Sequence, residues 1–251
     1  MKKIGLATLF VGSLIPLALL FASTADAKPG GSSLAAGEQF ERVIYVDYGQ
    51  PFHGGPPPHT ATDAATDFRL AQGGMRWFGA PKTVEYSVDA TGCADDCASA
   101  GVAVNAGFDA WQVSGITYTQ DNASPDGNPC GGSNSVTWAS IDGAGGILAL
   151  TAVCRNVATK EIVGFTMTFD SGDTWSDGGD AGKFDIQATA AHEAGHVTGP
   201  DHVNRPAASR LTMFFTATTG NTGPRTLGCG DRLAVNALYG TSLDCTGLPG
   251  D

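Results

Sequence analysis

Three histidines and one glutamate, His192, Glu193, His196 and His202, fall within eleven residues. A helix turns about 100° per residue, which sets His192 and His196 only about 40° apart, one turn above the other. Both rings then reach a single point. Glu193 lies about 100° round from His192, off the row of rings but beside that point, where a carboxylate suits a general base acting on water. Zinc in a reacting site takes three protein ligands and leaves its fourth position open, so a third ring must come from elsewhere. Gly199 allows His202 to supply it, because a glycine there can end the helix with positive φ and turn the chain back, and Pro200 forbids the helix to continue. The chemistry expected of the set is hydrolysis by a metal-activated water. A structural zinc site would need a fourth ligand, and none is evident nearby.

The elements that must position these groups are legible to different degrees. Asp185 is placed to cap the helix that carries His192, and Ala190, Ala194 and Val197 form its core-facing stripe. Gly195 in the middle of that helix costs about 1 kcal/mol against alanine and predicts a close packing contact. Upstream, Val84, Tyr86 and Val88 alternate as a half-buried strand does, and Val104, Phe108 and Trp111 recur at helical spacing on a segment beginning near Cys97. Ile116–Thr119, Val136–Ile141, Ile147–Val153 and Ile162–Phe169 are four more strand candidates. Arg42–Tyr48 reads as a short strand, Phe68–Trp77 as a lead-in strand, and Asp231–Tyr239 as a final helix that stops at Gly240 with a structural role.

The stretch His192-Glu193-Ala194-Gly195-His196-Val197-Thr198-Gly199-Pro200-Asp201-His202 resembles the extended zinc signature of the metzincins. Met213, eleven residues after His202, matches the methionine turn that underlies the metal in that clan. Lys183–Ala190 before the helix and Gly230–Gly240 after the turn are similar to the flanks of matrixins. Val203 stands where matrixins commonly have serine, and Phe215 where many have proline. The resemblance implies an α+β zincin fold, in which a twisted five-stranded mixed sheet with backing helices overlies a lower subdomain made of the zinc helix and the Met-turn. It implies one catalytic zinc on His192, His196 and His202, with Glu193 as base and Met213 as a hydrophobic floor. Phe214 and Phe215 are candidates to shape the adjoining pocket. If it carries further, Ile147–Val153 is the sheet edge over the cleft and binds an extended peptide as an added strand; an ordinary buried strand is the other reading. Matrixins often carry a propeptide whose cysteine occupies the zinc, and this chain has no cysteine before Cys93. His53 and His59 are the alternative plug, or simply solvated loop residues.

Lys2 and Lys3 ahead of an apolar run from Ile4 to Ala22, with Ala25-Asp26-Ala27 as a small-residue cleavage site, read as an export leader over residues 1–27. Residues 28–67 then form an N-terminal extension or propeptide-like segment, with Lys28–Gly37 a flexible linker and Pro51–Thr60 a Pro/Gly-rich loop. Residues 68–251 form the catalytic domain. The net charge of −11 repels phosphate backbones and anionic lipid, so nucleic acid and stable membrane association are not expected. Six cysteines in an exported chain imply disulfides, and of the fifteen connectivities proximity favours Cys93–Cys97, Cys130–Cys154 and Cys229–Cys245. Asp170, Asp173, Asp177, Asp180 and Asp185, among glycines and serines, are either a calcium-holding loop or a solvated acidic one; Asp121 and Asp126 form a smaller version. The reading is a secreted, monomeric zinc endopeptidase acting on protein or peptide substrate. The alternatives are a secreted binding or adhesion module on the same scaffold, which would show a damaged ligand set or missing base, and a hydrolase of cell-wall amides.

Overall fold

The computed structural model describes residues 38–49, 67–93 and 97–248. The expected leader, the linker Lys28–Gly37 and the loop carrying His53 and His59 lie outside the described residues.

In chain order the strands are β1 (Phe40–Gly49), β2 (Arg69–Leu70), β3 (Lys82–Asp89), β4 (Ile116–Asp121), β5 (Asn134–Ala139), β6 (Ile147–Asn156), β7 (Ile162–Asp170), β8 (Trp175–Ser176), β9 (Phe184–Asp185), β10 (Pro200–Asp201) and β11 (Thr216–Ala217). The helices are α1 (Ala100–Asp109), α2 (Ile186–Thr198) and α3 (Cys229–Tyr239). Seven strands make one mixed sheet in the order β11-β1-β6-β7-β5-β3-β4. The five strands expected from sequence are its β3 to β7; β1 and β11 are added on one side. The expectation for Phe68–Trp77 is corrected, because the only strand there is Arg69–Leu70, which pairs with β10, just past the zinc-signature helix, while Arg76 makes a single bridge to Glu161.

A second correction concerns β6. It is not an edge, since β7 pairs with it on one side and β1 on the other, antiparallel in both cases. The β1 register runs from Phe40 opposite Asn156 to Asp47 opposite Ala149, and shifts by one residue at Tyr48. Val43, Tyr45, Asp47 and Gly49 share one face and are buried, while Arg42 and Ile44 on the other face are exposed. The period-two pattern therefore holds from Arg42 onward, with one buried acid, Asp47, on the inner face. Arg155 on β6 clamps Glu41 on β1 at 2.6 Å.

The core lies between this sheet and helices α1 and α2. Tyr86 on β3, Phe108 on α1 and Phe165 on β7 meet with ring centroids 4.5 and 5.5 Å apart about Phe108, all fully buried. Each such ring contributes about 1.5–3 kcal/mol by leaving water. The three disulfides join the expected pairs, Cys93–Cys97, Cys130–Cys154 and Cys229–Cys245. Among the described residues no helix is long and apolar enough to cross a membrane.

Candidate active site

Helix α2 is fixed at both ends before it presents any chemistry. At its start the Asp185 carboxylate accepts the Ala188 N–H at 2.8 Å, and the Arg225 guanidinium grips the same carboxylate through Nε at 2.9 Å and Nη2 at 2.5 Å. At its end Gly199 has φ of 121° and donates to the Gly195 carbonyl at 2.8 Å. A side chain on Gly199 would run into the Met75 carbonyl, so glycine is required twice over. Two indoles donate to the helix from outside: Trp111 Nε1 to the Ala191 carbonyl at 2.7 Å and Trp77 Nε1 to that of Val197 at 3.0 Å.

The chain then returns as expected. The Nε2 atom of His202 lies 3.0 Å from Nε2 of His192 and 3.0 Å from Nε2 of His196. The other ring nitrogens are committed elsewhere, with His192 Nδ1 donating to the Thr212 carbonyl at 2.8 Å and His196 Nδ1 to that of Pro200 at 3.1 Å. Protons held on Nδ1 leave the Nε2 lone pairs bare. The bare Nε2 lone pairs of His192 and His196 and the Nε2 of His202 turn toward one point, the arrangement that a cation fits. Burial first, and the neighbouring rings second, hold His196 well below the ordinary histidine range; burial and the His192 ring do the same for His202. Neutral imidazoles are the form a metal requires. His192, His196 and His202 thus fit a zinc site by donor chemistry as well as by spacing.

Glu193 is fully buried, and neither carboxylate oxygen makes a well-formed hydrogen bond. Desolvation chiefly, and the charge of Asp47 next, push its carboxyl well above the usual carboxylate range, with the Thr151 hydroxyl pulling the other way. Ligand atoms of Asp47, His192 and Glu193 lie within 4.8 Å of one another. Asp47 is 1 % exposed, and burial raises its carboxyl to about 6 against the pull of His192 and the Tyr48 amide. Beside it on β1, the Tyr45 ring stacks on His196 with centroids 4.1 Å apart and planes 10° from parallel.

Met213 sits beneath α2. A Cβ on Gly195 would collide with its sulfur and with the Trp111 ring, which is the close packing that the glycine announced. The turn is laced to the third histidine's loop by Val203 N–H to the Met213 carbonyl at 2.9 Å and Phe215 N–H to the Val203 carbonyl at 3.1 Å. Buried Asp231 on α3 accepts the N–H groups of Thr212 at 2.9 Å, Met213 at 3.2 Å and Gly228 at 2.8 Å. Phe214 lines a recess beside His192 together with Leu211, Thr189 and Asp47.

The calcium expectation is not supported. Asp170 accepts four backbone N–H groups, from Ile141, Asp142, Gly143 and Gly172, and Asp173 accepts that of Gly145. Asp185 caps α2, Asp177 and Asp180 meet the hydroxyls of Ser99 and Ser176, and Asp121 and Asp126 close local turns. These carboxylates serve amides and hydroxyls rather than an ion. Among the described residues, possible ligands gather in threes only at His192, His196 and His202 and at Asp47, His192 and Glu193.

Of the groups at the centre, sequence reading missed Asp47, Tyr45 and Asp231. The alternation of Val43, Tyr45 and Asp47 was the one available signal for the first two, since an acid on the inward face of a strand needs a reason.

The family model described as matrixin matches residues 76–240, well over half of the chain. The chain belongs to the matrixins. No curated protein matches it. As a matrixin it is a metallopeptidase, a hydrolase of protein or peptide substrates, and zinc is the metal its family implies. Strand β1 precedes the matched span of this matrixin, whereas α1, α2, Met213 and α3 fall within it.

Proposed function

We propose that the protein is a secreted zinc endopeptidase in which His192, His196 and His202 hold one ion and Glu193 is the general base. The observation that carries this reading is the convergence of three Nε2 atoms, those of His192 and His196 each 3.0 Å from that of His202, with a buried carboxylate beside them. When bound, zinc supplies Lewis acidity, which polarises the scissile carbonyl and acidifies water. Glu193 takes the water proton and passes it to the departing amine. Its burial without a strong partner suits that work, because desolvation raises the affinity of the carboxylate for a proton. The Nδ1 bonds to Thr212 and Pro200 hold the rings in the tautomer that leaves Nε2 free. Met213 serves as an apolar floor and not as a ligand, filling the space that Gly195 vacates. Residues 1–27 are the export leader and residues 68–251 the catalytic domain; the enzyme works as a monomer. The intact ligand set and base speak against a non-catalytic binding module.

Glu193→Ala tests the assignment. The variant is expected to retain one zinc per chain and lose nearly all hydrolysis of an unstructured protein, a fall of at least about a hundredfold. Cleavage at the wild-type rate would remove Glu193 from the mechanism, and a chain that takes up no zinc would remove the three histidines as well.

A further inference from the structure

Strand β1 occupies the place that sequence reading reserved for substrate. An extended peptide adding to β6 would lie antiparallel along it, and Phe40–Asp47 of the same chain lie there, residue for residue. Beyond Asp47 the strand is gripped from the other side, with Tyr48 opposite Thr216 and Gly49 opposite Ala217 on β11, in parallel. The strand therefore spans the groove from the β6 rim to the segment after the Met-turn, above α2.

Its inward side chains are not neutral filler. Tyr45 lies flat on the His196 ring. Asp47 brings a carboxylate, 1 % exposed and without a well-formed hydrogen bond, within 4.8 Å of ligand atoms of His192 and Glu193. A buried carboxylate so weakly held is costly unless something positive meets it. The groups its carboxylate reaches are His192, a ring of the metal-binding set, and Glu193, a second acid. The one positive group that this centre is built to receive is the metal ion.

We propose that Asp47 is a fourth protein ligand to the ion held by His192, His196 and His202, and that β1 is an internal occupant which keeps this form of the enzyme closed. The proposal rests on the zinc reading above. It accounts for the missing cysteine, since a carboxylate on a strand fills the position that a thiolate would otherwise take. Three protein ligands leave a position for water, whereas four do not, so with Asp47 in place there is no room for the water that Glu193 would deprotonate. Opening the site requires β1 to leave β6, and the enzyme is active only in that fraction of molecules.

Cobalt(II) in place of zinc makes the coordination visible without reference to turnover. The full chain and its Asp47→Asn and Asp47→Ser variants are loaded with cobalt, their visible spectra recorded, and acetohydroxamic acid titrated in as a probe of the open position. The expected result is a changed ligand-field spectrum in both variants before any probe is added. Acetohydroxamate is also expected to bind the variants at least about tenfold more tightly, because the wild-type chain is competent only in its open fraction. Tyr45→Ala, which loosens the cover but keeps the carboxylate, is expected to improve probe binding with an unchanged starting spectrum. Cobalt bound stoichiometrically with identical spectra and equal probe affinity in wild type and Asp47 variants overturns the proposal and leaves the zinc reading standing. Failure of the wild-type chain to take up cobalt overturns both.

Discussion

At the scale of single residues, the site depends on a relay that starts outside it. The Asp231 carboxylate holds the Thr212 amide, and the Thr212 carbonyl holds His192 Nδ1. Burial pushes the Asp231 carboxyl up despite its three amide donors, so the group is held in place by hydrogen bonds that must all be made. Asp231→Asn puts an amide N–H₂ against backbone N–H groups and is expected to cost about 2 kcal/mol in urea unfolding. Zinc affinity should also fall by about tenfold, read by competition with a chelator, because partners of metal-bound imidazoles carry effects of that size. Unchanged affinity would show that His192 is oriented by something else. The contrast with the histidines explains what could be read from sequence. His192, Glu193 and His196 interact through the helix's own repeat, which is local and periodic, whereas Asp231 and Asp47 act on residues that are distant in the chain. No spacing rule relates an acid at 47 to a histidine at 192.

At the scale of elements, α2 is legible because each of its boundaries has a local cause, Asp185 at one end and Gly199-Pro200 at the other. The strands β3 to β7 are legible for the same kind of reason, since six to ten residues carry enough alternation or apolar continuity to be recognised. β11 is two residues long and shows no period at all, and the pairing of β1 with β6 is a choice of partner that neither strand's pattern encodes. This is why the sheet edge was misplaced while its strands were found. The Arg225–Asp185 pair then joins the segment before α3 to the start of α2, with Asp185 fully buried and Arg225 mostly so. A planar fork with two bonds is not reproduced by an ammonium. Arg225→Lys is expected to lose about 1–2 kcal/mol, and Asp185→Asn a similar amount. The double variant should lose clearly less than their sum, because the two changes remove one interaction. Additive losses in a urea double-mutant cycle would mean that cap and fork act independently.

At the scale of the molecule, the acidic balance is managed by placing carboxylates where backbone amides can hold them. Asp170 is the clearest case: burial alone would raise its carboxyl, yet four amide N–H donors outweigh it and hold the group below the usual carboxylate range. A carboxyl depressed on folding adds stability that is present above its unfolded value, about pH 4, and is lost as pH falls through the folded one. Wild type should therefore exceed Asp170→Asn by about 2–3 kcal/mol at neutral pH, and the gap should narrow below about pH 4. A gap independent of pH in urea midpoints would assign the difference to shape rather than charge.

The pairing of β1 with β6 also sets an order of assembly. Val43 meets Val153, and both strands precede α2, which begins only at Ile186. A chain that emerges N-terminus first offers β1 and β6 to one another before His192 has been made. On the proposal made above, the lid is thus available before the vessel beneath it is finished, and a nascent peptidase of this design has its cover to hand when the centre first forms.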